Sequence, residues 1–487
     1  MFTTFLNKSD RQKLMLFQYL ENAVSLSETK ETLMEKLNKS DFLINKLVKE
    51  LNDDFYELGL NEEFELVTDG TLIKLNESGL ANSDTLLTHY LSKALKYSML
   101  KDCFFGQLSS LYEFASNHFL SHNPVYQEFK QFKLILQEYN IEVTKEFQLV
   151  GNEHEVREFL FLFFMKEYYL DRSLFPKEIQ ELCKTFERFN QRSWLKADQS
   201  ARMRIRKKQY LSIILTRIRT GHYLKKAGDR ELVPSEYLLI IEELSSWLRE
   251  VTMTNDQKIL EQEAQALLRF LIVEGWLINN ERYIGPTQVA IKKLNDQFTV
   301  ALSQQLLVSE SSIGMLSKEL SNIHYQVLSF PFSSRYEYQN LDVTYFLENY
   351  PEYVAFCRNY IEKNRKKLYL WDNKEFLFFR YLILLVSTIS LKDILEPLYI
   401  CVDFSFGRSY NKMIKKNIEK LLDLNIQFQN YPDDHTHLIL SNLPFYGALG
   451  VNHILWLAPP RPIDWANFTE KVLSIRRKQF QNEADHG

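Results

Sequence analysis

Two small sets of polar side chains have the residue types and the spacing needed to contact the bases of duplex DNA. The first set lies on a predicted helix that begins at Ser40, and its members are Ser40, Asn45, Lys46 and Lys49. The second lies on a predicted helix that begins near Asn123, and its members are Asn123, Tyr126, Gln127, Lys130 and Lys133. Asn and Gln can form two hydrogen bonds with adenine, and Lys reaches guanine or phosphate. The pattern therefore predicts two helices that could each enter a major groove.

The first of these helices belongs to a group of three helices that a hairpin follows. Apolar spacing predicts its helices over residues 9–20, over residues 27–37 and from Ser40 onward. The side chains predicted to face inward from the third helix are Leu43, Leu47 and Leu51. Asp69-Gly70 then separates two β-prone runs, which is a strong hairpin signal. Three helices and a hairpin predict a winged helix-turn-helix domain over residues 1–80.

The same order of elements recurs in the next segment of the chain with little sequence identity. Helices are predicted over residues 85–101, 107–119 and 123–138. A second hairpin is predicted over residues 141–151 and ends at Gly151. This recurrence predicts a second winged helix-turn-helix domain over residues 81–165.

The charge of this N-terminal third works against binding DNA. Residues 1–165 contain 16 Lys and Arg but 25 Asp and Glu, a net charge of −9, and the whole chain has a net charge of −4. Neutralising phosphates normally supplies most of the non-specific affinity for DNA. We therefore expect weak, salt-sensitive binding by one copy, strengthened when the chain forms a homodimer or a larger homo-oligomer.

The middle of the chain has the periodicity of helices almost throughout. The predicted helices before the helix-breaking pair Gly285-Pro286 cover residues 153–169, 176–193, 200–220, 235–250 and 256–277. Those after it cover residues 287–307, 311–328, 351–369 and 373–390. The break and the similar helix lengths on either side predict two helical domains, over residues 166–285 and 286–394.

The last part of the chain alternates strands with helices. Strands are predicted over residues 398–404, 426–431, 437–441 and 454–457, with helices over residues 410–424 and 463–481. This alternation predicts a small, mostly parallel α/β domain over residues 395–487. The predicted fold class is therefore a mainly α, multidomain protein with one small C-terminal α/β domain.

Several classes of protein find no support in the sequence. No nucleotide-binding glycine motif, P-loop, zinc-protease motif or nucleophile elbow occurs, so we expect no enzyme and no cofactor. His435 and His437 have no nearby third ligand, which is weak support for zinc, and we expect no metal. Four scattered cysteines and the absence of a long apolar run predict a cytoplasmic protein without a membrane segment.

Two segments and the order of the domains resemble one known family. The segments are residues 33–52, with Leu33-Met34-Glu35-Lys36-Leu37 at their start, and residues 141–159, with Phe147-Gln148-Leu149-Val150-Gly151 within them. Together with the five-part organisation, the chain resembles the Mga/AtxA family of Gram-positive transcriptional regulators. The resemblance implies a protein that binds double-stranded DNA and regulates transcription. Members of the family are usually activators, and some regulate virulence. It also implies two helical domains regulated by the sugar phosphotransferase system (PRD-like) and a C-terminal domain like a phosphotransferase IIB subunit (EIIB-like).

The resemblance also implies sites of regulation and assembly. Family members can be phosphorylated on histidine by phosphotransferase carrier proteins, and the matching candidates here are His222 and His324. Nine basic residues and no acidic ones lie between Arg202 and Lys226, a setting that suits a phosphohistidine beside His222. Phe404 and Phe406 occupy a loop where a working IIB subunit needs small residues, so Cys401 is interpreted as structural. The IIB-like domain would then serve homo-oligomerisation.

Three alternatives remain open at the level of sequence. A phosphotransferase-regulated RNA antiterminator would share the helical middle but would begin with a small β-rich domain. A phosphotransferase-type component would use Cys401 or His222 as its phosphorylated group. A protein-interaction scaffold would use the N-terminal helices without any nucleic acid, because three-helix folds host many functions.

Overall fold

The computed structural model describes most of the chain and divides it into two compact units. The described residues are 1–23, 25–79, 81–167, 174–196, 200–224, 233–277, 284, 287–306, 308–336, 343–421, 424–457 and 459–486. Unit 1 comprises Met1–Arg230 with Pro234–Glu281, and unit 2 comprises Glu231–Val233 with Arg282–Gly487. Gly285-Pro286, the predicted break between the helical domains, lies outside the described residues. Among the described residues, none of the helices is both long and apolar enough to cross a membrane.

The first part of unit 1 has three helices and a three-stranded sheet. The helices are α1 (Lys8–Glu21), α2 (Lys30–Leu37) and α3 (Asp41–Glu57), and the strands are β1 (Ser27–Thr29), β2 (Phe64–Thr68) and β3 (Leu72–Glu77). The sheet has the order β1-β3-β2 and is antiparallel throughout. The β2–β3 hairpin turns at Asp69, whose carboxylate accepts backbone hydrogen bonds from Thr71 and Leu72. These bonds lower the pKa of Asp69 and hold the predicted turn.

The second part of unit 1 repeats this order with four helices and a shorter hairpin. The helices are α4 (Ser83–Lys93), α5 (Leu95–Phe105), α6 (Leu111–Asn117) and α7 (His122–Gln137), and the strands are β4 (Ile141–Val143) and β5 (Leu149–Gly151). β4 and β5 pair antiparallel, with Ile141 opposite Gly151. A Cβ on Gly151 would lie 2.7 Å from the backbone oxygen of Asn140, so only glycine allows this close pairing.

Helices make up the rest of unit 1. They are α8 (Glu153–Glu167), α9 (Lys177–Thr185), α10 (Ala201–Arg219), α11 (Leu238–Thr252) and α12 (Gln257–Val273), with 3-10 helices at Phe186–Gln191 and Ser235–Tyr237. α10 packs against α8, α9 and α11, and α12 packs against α11. α8 follows β5 directly, so the second hairpin is joined to these helices without a flexible linker.

Unit 2 combines a helical part with a parallel sheet. Its helices are α13 (Thr287–Leu306), α14 (Glu310–Ser329), α15 (Pro331–Tyr336), α16 (Thr344–Asn349), α17 (Pro351–Lys363), α18 (Leu368–Trp371), α19 (Lys374–Thr388), α20 (Leu391–Ile394), α21 (Arg408–Leu421) and α22 (Pro462–His486). Its strands are β6 (Leu398–Asp403), β7 (Ile426–Gln429), β8 (Leu438–Ser441) and β9 (Asn452–Leu455). The strands are all parallel, in the order β7-β6-β8-β9. The mostly helical class with a small parallel sheet near the C-terminus is confirmed.

One hydrophobic core spans both parts of unit 2. Leu294 and Phe298 of α13 belong to the same buried cluster as Ile400 of β6 and Phe468 of α22. The predicted boundary between residues 394 and 395 therefore lies within a shared core, and the helical part and the sheet bury each other's apolar surface.

Some predicted elements differ from the structure in detail. The predicted helix over residues 27–37 begins with strand β1, because Ser27–Thr29 pair with β3. The predicted helix over residues 85–101 is interrupted at Ala94, which has an extended conformation (φ −74°, ψ 128°). The helices on either side of this break make different long-range contacts: Tyr90 donates a hydrogen bond to Asp54 of α3, and Lys96 forms a 2.7 Å ion pair with Glu128 of α7.

Candidate DNA-binding surface

Helix α3 presents the first set of predicted contact residues to solvent. Ser40 occupies the N-cap position without a side-chain hydrogen bond to the helix, and Asn45, Lys46 and Lys49 are exposed. The prediction that Leu43 faces inward is wrong, because this side chain is 39% exposed. The buried side is formed instead by Ile44, Leu47, Val48, Leu51 and Phe55. Leu47 and Leu51 are thus buried as predicted, and Ile44 takes the place predicted for Leu43.

Acidic neighbours already engage two of the three polar candidates on α3. Asn45 Nδ2 donates a 2.9 Å hydrogen bond to Asp41, and Lys46 Nζ lies 3.6 Å from a carboxylate oxygen of Glu50. Lys49 is exposed and forms no ion pair within the described residues. A phosphate that approached this helix would have to displace carboxylates from two of its polar side chains.

Helix α7 presents the second set on a face with a more favourable charge. Its buried side is formed by Val125, Phe129, Phe132 and Leu136. All five predicted contact residues are exposed: Asn123, Tyr126, Gln127, Lys130 and Lys133. The single carboxylate of the helix, Glu128, is paired with Lys96.

The two lysines of α7 lie over aromatic rings and not beside carboxylates. Lys130 Nζ is 4.9 Å from the ring centre of Tyr126, and Lys133 Nζ is 5.9 Å from that of Phe129. In the part of the chain that the structure describes, neither lysine forms an ion pair. Both charges are therefore available to phosphates, so α7 is better suited than α3 to bind DNA.

A buried ionic network joins the second hairpin to the helices behind it. Arg157 of α8 donates hydrogen bonds to Glu263 of α12, at 2.5 and 2.9 Å, and to Glu153, at 2.8 Å. Arg217 of α10 donates to Glu153, at 3.0 and 2.5 Å, and to the backbone oxygen of Leu149 in β5, at 3.0 Å. Burial disfavours the charged form of Glu153. The guanidinium groups of Arg157 and Arg217 favour that form more strongly, so the pKa of Glu153 is lowered.

Several side chains of the basic run between Arg202 and Lys226 also have partners within unit 1. Arg206 pairs with Glu274 and Arg219 with Glu178, at 2.8 and 2.5 Å. Lys207 lies 3.8 Å from the ring centre of Trp276, and burial lowers its pKa to about 8. Arg206, Lys207 and Arg219 therefore already have partners, and the suitability of the run for a phosphohistidine beside His222 stays a prediction; Lys225 and Lys226 lie outside the described residues.

His222 adjoins the ionic network and is half-buried. Its backbone oxygen accepts a 3.1 Å hydrogen bond from Arg157, and its Nδ1 lies 3.1 Å from the hydroxyl of Thr220. Burial, reinforced by the charge of Arg217, lowers the pKa of the imidazole. The lowered pKa favours the neutral form of the side chain, in which imidazole is a nucleophile.

His324 does not fit its predicted role as a phosphorylation site. Its side chain is completely buried in α14. Nδ1 lies 2.7 Å from the amide oxygen of Asn295, and Nε2 lies 2.7 Å from the hydroxyl of Tyr381. Both ring nitrogens are thus occupied, and burial lowers the pKa of His324 to about 3.

This buried imidazole predicts an acid-sensitive step in the stability of unit 2. Its pKa of about 3 lies below the ordinary 6.5, so the unfolded chain takes up the proton first as the pH falls. The stabilising contribution is complete above pH 6.5 and is lost between pH 6.5 and pH 3. From pH 7 to pH 5, we expect the free energy of unfolding to fall about 2 kcal/mol more in the native chain than in His324→Gln. Urea unfolding at both pH values measures the free energy of unfolding of the two chains. If that free energy fell equally in the native chain and in His324→Gln, the prediction would be contradicted.

The remaining candidates from the sequence occupy structural positions. Cys401 is buried in the central strand β6, and burial, followed by the charge of Asp403, raises its pKa to about 11. His437 Nδ1 accepts a 3.1 Å hydrogen bond from the backbone N–H of Tyr399. His435 and His437 gain no third partner, since no group of three potential metal ligands occurs among the residues the structure describes.

The acidic partners in the ionic network were missed by the sequence analysis. Glu263 lies 106 residues from Arg157, and no local pattern links the two. One signal was available in α12: Glu263 follows Leu260 by three residues and precedes Leu267 by four, so it lies on the apolar face of the helix, where a carboxylate needs a buried cation as partner.

A comparison with known protein families bears on this surface. Residues 81–164, which carry α4 to α7, the second hairpin and most of α8, match the model of the Mga helix-turn-helix domain. No curated protein matches the chain. The match supports a regulator of the Mga family, and with it a DNA-binding transcriptional regulator.

Proposed function

We propose that this chain is an activator of transcription that inserts α7 into the major groove of duplex DNA, with α3 in a weaker, supporting role. The observation that carries the proposal is the exposed face of α7, where Lys130 and Lys133 lack carboxylate partners within a segment that matches a Mga helix-turn-helix domain. Recognition helices of this motif contact base edges with their N-terminal residues. On α7 these are Asn123, Tyr126 and Gln127.

The test is a titration of the full chain with a 40-base-pair duplex and with an RNA hairpin of equal charge. We expect tighter binding to the duplex, with an affinity that falls as salt is raised. Tighter binding to the hairpin would favour the antiterminator alternative and overturn the proposal. Absence of binding to either, at low salt, would favour the interaction scaffold.

Assembly through the C-terminal sheet is the second part of the proposal. Strand β9 is an edge strand in the described sheet, and the apolar side chains of Leu455 and Leu457 beside its end are 41% and 70% exposed. An open edge with exposed apolar side chains favours pairing with a second copy. We expect Leu455→Asp/Leu457→Asp to shift the chain from dimer to monomer in sedimentation velocity, with unchanged circular dichroism. An unchanged dimer would contradict this role of the edge.

Regulation by phosphotransferase carriers is the third part, and it rests on His222 alone. The support is its neutral, half-buried imidazole, directly beside the arginines that connect the second hairpin with α10 and α12. A phosphoryl group there would compete with Glu153 and Glu263 for those arginines. Mass spectrometry after incubation with a phosphorylated carrier protein tests this, with His222→Ala as control. Phosphate found on Cys401 would support the phosphotransferase alternative.

A further inference from the structure

The two helix-turn-helix segments of unit 1 contain the same turn. In the first, the backbone N–H of Lys39 donates to the oxygen of Met34 at 3.0 Å. In the second, the N–H of Leu120 donates to the oxygen of Ala115 at 2.9 Å. Both bonds link residues five apart, as in the Schellman motif that ends many helices. In both segments a serine occupies the N-cap position of the next helix one residue later, without a side-chain hydrogen bond to that helix.

This turn requires a residue in the left-handed conformation, and the two segments fill that position differently. Asn38 fills it in the first turn (φ 50°), and asparagine tolerates this conformation well. Phe119 fills it in the second (φ 54°), although a bulky side chain is unfavourable there. The ring is also 96% exposed and makes no aromatic contact within the described residues. Neither the turn nor the packing of the domain accounts for a phenylalanine at this position.

The exposed ring lies at the start of a row of aromatic side chains along α7. The rings of His122 and Tyr126 are stacked with centres 6.2 Å apart, and Lys130 lies over Tyr126. Phe119 precedes His122, the first residue of α7, by three residues. It therefore lies beside the N-terminal end of the helix, which is the end that would contact the bases. The only carboxylate on α7 is paired away from this face with Lys96. The face is thus apolar at its tip and positive further along, which suits a groove lined by phosphates.

We propose that Phe119 contacts the 5-methyl groups of thymine in the major groove and gives the chain a preference for A·T-rich sites. This inference rests on the proposed function and extends it. Thymine is the one DNA base that offers a methyl group in the major groove, and phenylalanine makes apolar contact with it. Burial of apolar surface in this contact also supplies affinity that the acidic N-terminal third does not obtain from phosphates.

The experiment compares two 40-base-pair probes, one of alternating dA·dT and one of alternating dA·dU, which differ only in the thymine methyl groups. The full chain should bind the dA·dT probe about four-fold more tightly for each buried methyl group. Phe119→Asn, which copies the first turn, should bind both probes equally. Because asparagine suits the turn, its Tm should rise by about 2 °C, whereas loss of a structural side chain would lower the Tm. Tyr431→Asn, which removes an exposed ring from unit 2, should keep the native preference.

Three results would overturn the inference in distinguishable ways. Tight binding of the native chain to both probes without any preference would remove the thymine contact and leave the proposed function intact. If the native chain bound neither probe, both the thymine contact and the proposed function would be contradicted. If Phe119→Asn altered the oligomeric state and not the preference between probes, the ring would belong to a protein–protein contact, which also overturns the inference.

Discussion

Replacing Glu263 by Gln should destabilise unit 1 by about 3 kcal/mol, because the change leaves the guanidinium of Arg157 buried without a full counter-charge. Both Arg157 and Glu263 are almost completely buried, and Glu263 also accepts a hydrogen bond from the backbone N–H of Leu224. Glutamine keeps the shape of the side chain but loses the charge and offers only one acceptor oxygen. Hydrogen exchange of peptides from α8, α10 and α12 measures the loss locally.

A surface ion pair in the same unit provides the matched control. Glu178 pairs with Arg219 at 2.5 Å, but its side chain is 68% exposed. Glu178→Gln should therefore cost less than about 1 kcal/mol, because water replaces the lost partner. If Glu263→Gln and Glu178→Gln lost equal protection from hydrogen exchange, burial of the ion pair would not explain its contribution to stability. A double variant, Arg157→Met/Glu263→Leu, should recover part of the lost stability, because neither charge is then left unpaired.

Replacing Lys130 and Lys133 together by Ala should weaken binding to a 40-base-pair duplex about 30- to 100-fold at 0.1 M salt. Both charges are exposed and unpaired in the described structure, so each can release a counterion from DNA. The slope of log K against log[salt] should become shallower by about 2. Fluorescence anisotropy at several salt concentrations measures both quantities.

Two control variants separate local contact from net charge. Lys318→Ala/Lys363→Ala removes the same charge from exposed positions of unit 2 and should change the affinity less than about three-fold. Lys46→Ala should also have a small effect, because Glu50 already neutralises that lysine. Equal losses from all three variants would show that α7 has no special role and would remove the basis of the proposed function.

The parts of the fold that depend on local sequence were predictable. The apolar period of α7 gave its bounds to within a residue, and Asp69-Gly70 gave the first hairpin, because these signals lie within a few residues of each other. The exposed face of α7 follows from the same period. The interruption at Ala94 was not predictable, because residues of α3 and α7 that are distant in sequence position its two halves.

The histidine candidates show the same limit at the level of single side chains. His324 occupies a helix with an ordinary polar neighbourhood in sequence, and only Asn295 and Tyr381, from two other helices, bury it and bond both its nitrogens. The basic run before His222 suggested an open anion site, yet its acidic partners come from α8, α9 and beyond α12. Net charge along a segment therefore did not predict which charges remain free.

The shared core of unit 2 has a mechanical consequence. Because α13 and α19 line the same apolar interior as β6 and α22, neither the helices nor the sheet could swing away without opening that interior to water. If a force were applied at the edge of β9, the sheet would therefore move together with α17 and α19. The chain would not bend at residue 395. If the chain were cut at residue 395, each fragment would expose the apolar side chains that the other fragment covers. We therefore expect either fragment to be insoluble when it is expressed alone.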